Sequence, residues 1–255
     1  MSQNPVVALH GIGSDGRTFD ALSKALATPR FRSLNLPGYA DEPGLPESFE
    51  GLKAWLGDQL AGAKSDTDAD TDTDGGRSVL VGYSIGGMLA LDFALDHPER
   101  VAALVLICTT PAFGGPDPSF KEAFLKARLA GLDAGQTMAQ SAPGIVAGYL
   151  GERADDAAIE LATEMAAAIP ETTFRAVLKT LVTFNRRDDL GAVVPPCLIV
   201  AGSKDANAPA KTLVKLADRI PRTRFVEFDA GHGLPMECPE DLAQAIQAFL
   251  NDFEL

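Results

Sequence analysis

The amino-acid sequence predicts an α/β protein: a doubly wound, mostly parallel sheet of about six strands that carries one helical insertion. Three observations predict it. Short, wholly apolar and β-branched runs alternate with stretches of helical period, the pattern of strands covered on both faces by crossover helices. One long stretch, residues 111–194, breaks that alternation with helical periodicity and no convincing strand. A serine also stands between two glycines where an apolar run gives way to a helix-forming one, in Gly82-Tyr83-Ser84-Ile85-Gly86.

In chain order, strands are expected at residues 6–9, 32–36, 79–83, 101–109, 197–201 and 224–228, each bounded by turn residues. Helices are expected at 18–27, 49–61, 85–95, 210–219 and 239–249. The insertion reads as about four short helices broken at Gly114-Gly115-Pro116, Gly131, Ser141-Ala142-Pro143-Gly144 and Ile169-Pro170, since glycine and proline punctuate helices. This divides the chain into a core, residues 1–110 and 195–255, and a cap, residues 111–194. An all-helical insertion at the carboxyl edge of a parallel sheet lies where such folds bind ligands, so the cap is expected to roof the site.

At 255 residues the chain can bury a core without disulfides or metals. Cys108, Cys197 and Cys238 are odd in number, and two of them lie in apolar strand-like runs, which suits buried structural thiols in a reducing compartment. The start of the chain has no basic region and only a short apolar run, and the longest apolar run, residues 101–108, is far short of a membrane span. A cytoplasmic protein is therefore expected. The net charge of −13, with no basic cluster, argues against nucleic acid and against an anionic membrane as partners.

Five of the negative charges fall in the Asp/Thr tract of residues 66–74. Asp70, Asp72, Asp74 and Gly75 match the first half of a calcium-binding loop, but the twelfth position is Val81 where a bidentate Glu is required. A solvated, disordered connection is the expected reading.

A serine hydroxyl becomes a good nucleophile only when a base takes its proton. Three histidines are available. His10 precedes Gly11 at the end of the first strand, and His97 closes the helix after the serine and faces away from it. His232, in Asp229-Ala230-Gly231-His232-Gly233, follows the last strand and emerges at the same sheet edge as Ser84; it is the expected general base. Its imidazole needs a carboxylate to hold its tautomer. Asp205 ends a buried run into a short loop at that edge, 27 residues before His232, whereas Asp188 and Asp189 lie at the far end of the strand and Asp229 is too near in sequence to reach round. The tetrahedral oxyanion needs two backbone N–H groups, one after the nucleophile and one from the loop after the first strand, which are those of Ile85 and Ile12.

That first loop, Gly11-Ile12-Gly13-Ser14-Asp15-Gly16, also matches the glycine pattern of a dinucleotide site. Such a site needs an acid at the end of the second strand to hold the ribose, and that strand ends Leu34-Asn35-Leu36-Pro37. No cofactor and no metal are expected.

With Leu9-His10-Gly11, Gly82-x-Ser84-x-Gly86-Gly87, Gly202-Ser203-Lys204-Asp205 and Gly231-His232 in this order, the chain resembles the α/β-hydrolase superfamily over nearly its whole length. Supporting phrases are Leu36-Pro37-Gly38-Tyr39, His97-Pro98-Glu99-Arg100-Val101 and Glu237-Cys238-Pro239-Glu240, which look most like the small capped esterases and lactonases. Two departures stand out. The first strand begins near residue 5, so the superfamily's opening antiparallel hairpin is expected to be missing. The loop after the second strand reads Pro37-Gly38-Tyr39-Ala40-Asp41-Glu42 in place of the usual glycine-rich form.

The resemblance implies a serine hydrolase acting on a small to medium carboxylic ester or lactone through an acyl-enzyme on Ser84. Alternatives are a carbon–carbon hydrolase, lyase or cofactor-independent synthase using the same triad, or a ligand receptor that retains it. Substrate identity, the cap residues that line the pocket and the oligomeric state are left open by the sequence.

Overall fold

The structure, a computed structural model, describes residues 4–26, 28, 30–62, 76–115 and 117–255. The Asp/Thr tract of residues 66–74 lies outside the described residues. The sheet is built from β1 (Val6–Leu9), β2 (Phe31–Leu34), β3 (Ser78–Tyr83), β4 (Val101–Ile107), β5 (Cys197–Gly202) and β6 (Thr223–Phe228), in the spatial order β2-β1-β3-β4-β5-β6 with every pairing parallel. Every residue of β1, β3, β4 and β5 is buried, whereas the edge strand β6 keeps partly exposed positions along its length.

Both faces are covered because successive strand residues feed opposite layers. Val7 and Leu9 pack in one cluster with residues of α2 (Phe49–Gly62), α3 (Ile85–Asp96) and α8 (Ala210–Ala217). Val6 and Ala8 pack in another with residues of α1 (Asp20–Leu26) and α10 (Pro239–Asp252). The short α9 (Leu234–Glu237) precedes α10. Several expected bounds shift: β4 stops at Ile107, because Cys108 turns to φ 47°, β2 stops at Leu34 rather than residue 36, and the first helix is preceded by a 3₁₀ turn at Gly16–Phe19.

Between β4 and β5 lie α4 (Pro118–Asp133), α5 (Met138–Ala147), α6 (Asp156–Ala168) and α7 (Glu171–Leu181). Among the described residues these are four α-helices, as the sequence suggests, but two of the expected breaks are wrong. Gly131 lies inside α4, which runs on to a left-handed turn at Gly135 (φ 87°). Ser141-Ala142-Pro143-Gly144 lies inside α5, which starts from a capping box between Thr137 and Gln140. Pro143 forgoes one helical hydrogen bond, yet α5 persists because Ala142 and Val146 are buried against Ala162, Met165 and Ala166 of α6. The two ends of the insertion meet in an antiparallel bridge, Ala112 with Asn185, flanked by the bond from Arg186 N–H to Pro111 O at 2.8 Å. Arg186 then reaches α3, donating to Asp92 at 2.5 Å beside Lys53 of α2, so the neck is tied to the core by charge as well as backbone.

A contrast between two glycines tests this packing. A Cβ on Gly86 would sit 2.1 Å from the backbone oxygen of Leu9, whereas one on Gly144, exposed in α5, meets nothing within 4 Å. Gly86→Ala is expected to lower the free energy of unfolding in urea by about 3 kcal/mol or more. Gly144→Ala is expected to raise it by about 0.5 to 1 kcal/mol. A Gly86→Ala protein as stable as the wild type contradicts the close approach of α3 to β1.

Candidate active site

Ser84 occupies the sharp turn from β3 into α3, at φ 55° and ψ −118°. No helix or strand residue sits there, and a non-glycine residue holds such a conformation only where its surroundings enforce it. Gly82 and Gly86 let the turn form: a Cβ at 82 would lie 2.4 Å from Gly87 Cα, and one at 86 would strike β1. The turn is fixed from β4 as well, since Ser84 N–H donates to Ile107 O at 3.0 Å and Thr109 Oγ1 donates to Ser84 O at 2.7 Å.

The other two expected residues are brought to this point by the carboxyl ends of β5 and β6. Ser84 Oγ lies 3.1 Å from His232 Nε2, and His232 Nδ1 lies 2.7 Å from Asp205 Oδ2. The other oxygen of Asp205 accepts the backbone N–H groups of Asn207 at 2.7 Å and Ala208 at 2.9 Å. Burial alone would raise the Asp205 carboxyl, but the hydrogen bond and charge of His232 with those two N–H groups outweigh it and hold the group below the usual carboxylate range. Asp229 is turned away, exposed and paired with Lys204 at 3.2 Å. His97 is half-exposed beside Glu99.

The expected oxyanion groups have distinct supports. Ile85 is the first residue of α3, where a backbone N–H has no acceptor within its own helix. Ile12 lies in the loop after β1, and its N–H makes no hydrogen bond among the described residues. Its peptide is gripped from both sides. His10 Nδ1–H donates to Gly11 O at 2.7 Å, the carbonyl of the same peptide unit that carries the Ile12 N–H, while His10 Nε2 accepts Leu36 N–H at 2.9 Å. Tyr39, fully buried, donates its hydroxyl to Ile12 O at 2.9 Å and packs edge-on against His10. The glycine-rich loop is thereby accounted for without a nucleotide. Asn35, where an acid would hold a ribose, accepts Gly16 N–H at 2.8 Å instead.

Sequence reasoning missed three supporting residues. His10 enters the sequence reading as a candidate base and within Leu9-His10-Gly11, and its pairing with Leu36 beyond the second strand is not visible in the chain. Tyr39 appeared only as part of a motif. Glu237 is the third: nearly buried, it accepts Gly231 N–H at 2.7 Å and Gly151 N–H at 3.0 Å, tying the residue before His232 to the loop between α5 and α6. Its legible signals are its place in Glu237-Cys238-Pro239-Glu240 and an acid inside the otherwise apolar or small run from Gly233 to Cys238.

Ser84 and His232 open onto a cavity of about 230 Å³. Of the insertion's aromatic residues, Phe113, Phe120, Phe124, Tyr149 and Phe174 line it, while Phe184 is buried against Phe49 instead. Cys108, Asp205 and His232 form the one cluster among the described residues with metal-ligand spacing, their donor atoms within 4.8 Å of one another. It does not suit a metal. Asp205 and His232 are already bonded to each other, and burial with the neighbouring Asp205 carboxylate pushes the Cys108 thiol well above its usual range, keeping it a neutral thiol.

A parallel sheet with a strained serine at the end of its third strand, facing a histidine and an aspartate from later loops, defines a hydrolase of the α/β type. A model of the alpha/beta hydrolase family matches residues 6–245, and the chain belongs to that family. It is similar to a pimeloyl-[acyl-carrier protein] methyl ester esterase of Aromatoleum aromaticum, 29% identical over 265 residues that cover 97% of this chain and 98% of the relative. Among solved structures it is similar to a hydrolase from Pseudomonas aeruginosa PA01, with 25% identity and a TM-score of 0.80 over 98% of this chain and 91% of that one. The enol-lactonase of Burkholderia xenovorans LB400 shares the fold, with 20% identity and a TM-score of 0.78 over 98% and 92% of the two chains. No helix among the described residues is long and apolar enough to cross a membrane.

The burial of His10 gives a pH signature. Burial lowers its pKa from the ordinary 6.5 to about 4, against smaller opposing effects from Gly11 and Asp15. Because the unfolded chain takes up this proton first, stability is unaffected above about pH 6.5 and falls as the pH drops toward 4, by about 3 kcal/mol from this group. His10→Gln is expected to be less stable than the wild type at pH 7.5 but to lack that part of the decline in urea melts across the window. Parallel stability curves for the two proteins would contradict a neutral, buried His10.

Proposed function

We propose that the protein hydrolyses a small to medium carboxylic ester or lactone through an acyl-enzyme on Ser84, with His232 as general base and acid and Asp205 as its orienting carboxylate. The observation that carries this reading is the unbroken chain from Ser84 Oγ to His232 Nε2 and from Nδ1 to Asp205, at 3.1 and 2.7 Å, on the floor of a mainly apolar cavity. His232 takes the Ser84 proton as Oγ bonds to the substrate carbonyl carbon, and the N–H groups of Ile12 and Ile85 hold the resulting oxyanion. The helix start at Ile85 adds a favourable dipole for negative charge. Collapse of the intermediate breaks the bond to the leaving oxygen, which takes the proton from His232. A water then gives its proton to His232, attacks the acyl carbon and releases the acid as Ser84 recovers its proton.

Residues 111–194 are read as a cap over the core of residues 1–110 and 195–255, excluding water and shaping the acyl pocket. A methyl ester esterase among the relatives supports an ester substrate, and three buried thiols suit work in the cytoplasm.

A fluorophosphonate is expected to label Ser84 and to leave Ser84→Ala unmodified. On a short-chain ester, Ser84→Ala and His232→Ala are each expected to lower kcat by ~10⁴-fold or more, with the double variant little worse than either because the two act as a unit. Losses that multiply, or labelling that survives Ser84→Ala, would sink the assignment.

A further inference from the structure

One charged group in the cavity has no counter-ion among the described residues. Arg128 projects from α4 into the wall that also holds Ser84 and His232, among Phe113, Phe124 and Leu178. Its Nη2 donates to Asn207 Oδ1 at 2.6 Å, and its guanidinium carbon lies 5.4 Å from the centre of the Phe124 ring. Nε and Nη1 make no hydrogen bond among the described residues, and no carboxylate of those residues lies within ion-pair distance of it. Several other half-buried or buried cations are answered by acids: Lys53 and Arg186 both pair with Asp92, and Arg175 pairs with Asp133 and Glu171; Arg100, which donates to Gly57 O at 2.8 Å instead, lies away from this cavity. In a chain of net charge −13, a guanidinium left without an acid in the pocket is costly unless something else supplies the negative charge.

The position of Arg128 is also held. Asn207 is anchored through its backbone N–H to Asp205 Oδ1 at 2.7 Å and through Nδ2 to Gly148 O at 2.8 Å, so the residue that orients Arg128 is bonded to the carboxylate facing His232. Burial lowers the Arg128 pKa, yet a guanidinium keeps its charge. We propose that Arg128 recognises a carboxylate on the substrate, so that the preferred substrates carry a free carboxylate in addition to the ester or lactone that is cleaved. A carboxylate accepts two parallel N–H groups of a guanidinium, a match that a neutral acyl chain lacks. The stacked Phe124 ring supports the planar cation from its face.

The inference rests on the hydrolase reading for turnover but not for binding, and the test separates the two. Calorimetric titration of Ser84→Ala with monomethyl glutarate and monomethyl adipate, against the corresponding neutral dimethyl esters, reads recognition without chemistry. At least one half-ester is expected to bind about tenfold or more tightly than its diester, and the preference is expected to vanish in Ser84→Ala/Arg128→Gln and to return in part with Arg128→Lys. In the protein with Ser84 intact, Arg128→Gln is expected to lower the ratio of kcat/KM for half-ester over diester by a similar factor, chiefly through KM. Equal binding of half-ester and diester, or a preference that persists without Arg128, overturns the proposal. Half-esters that bind through Arg128 but are not hydrolysed would leave it standing and overturn the hydrolase reading instead.

Discussion

The arrangement depends on one close approach, the first turn of α3 against the end of β1. Gly86 lies so near the backbone of Leu9 and His10 that no side chain fits between them. That contact forces the chain to turn from β3 into α3 within a single residue, and Ser84 takes the left-handed strain, which costs on the order of 1 to 3 kcal/mol. The bonds from Ser84 N–H to Ile107 and from Thr109 to Ser84 O offset it, so the strain is held at the carboxyl end of the wholly buried β4. The hydroxyl is then carried on rigid backbone, not on a mobile loop.

The residues facing Ser84 are held differently. Asp205 and His232 sit on loops, and each loop is fastened by a carboxylate that accepts backbone N–H groups. Asp205 accepts those of Asn207 and Ala208 with one oxygen and keeps the other for His232. Glu237 accepts Gly231 N–H beside His232 and Gly151 N–H from the insertion. The histidine loop is thus coupled to the same helical segment that lines the cavity, and a shift of that segment on ligand binding would be felt at the imidazole. On the opposite side His10 and Tyr39 brace the Ile12 peptide, and both stay in the states this needs: burial keeps His10 neutral and the Tyr39 phenol protonated.

Much of this was legible in the chain because the elements that matter are governed by local rules. Wholly apolar strands predict the parallel sheet, and Gly82 and Gly86 predict the turn at Ser84. The order of Ser84, Asp205 and His232 follows from which strands end at the same edge, and the structure brings their side chains into contact. The expected helix break at Pro143 fails because local propensity loses to the packing of Ala142 and Val146 on α6, and Gly131 is carried inside α4, which ends before the left-handed turn at Gly135. His10, Tyr39, Glu237 and Arg128 could not be read as supports or as a cavity cation, since each acts on a partner more than four residues away in sequence or on a cavity the sequence does not display.

The central claim is that the strained serine carries the chemistry as a covalent nucleophile. Its most direct test is acid quenching of the protein during turnover of p-nitrophenyl acetate, followed by mass mapping of its peptides. An acetyl group located to Ser84 by fragmentation, and absent in Ser84→Ala, is the expected result. Turnover that depends on His232 yet acetylates another residue would contradict it.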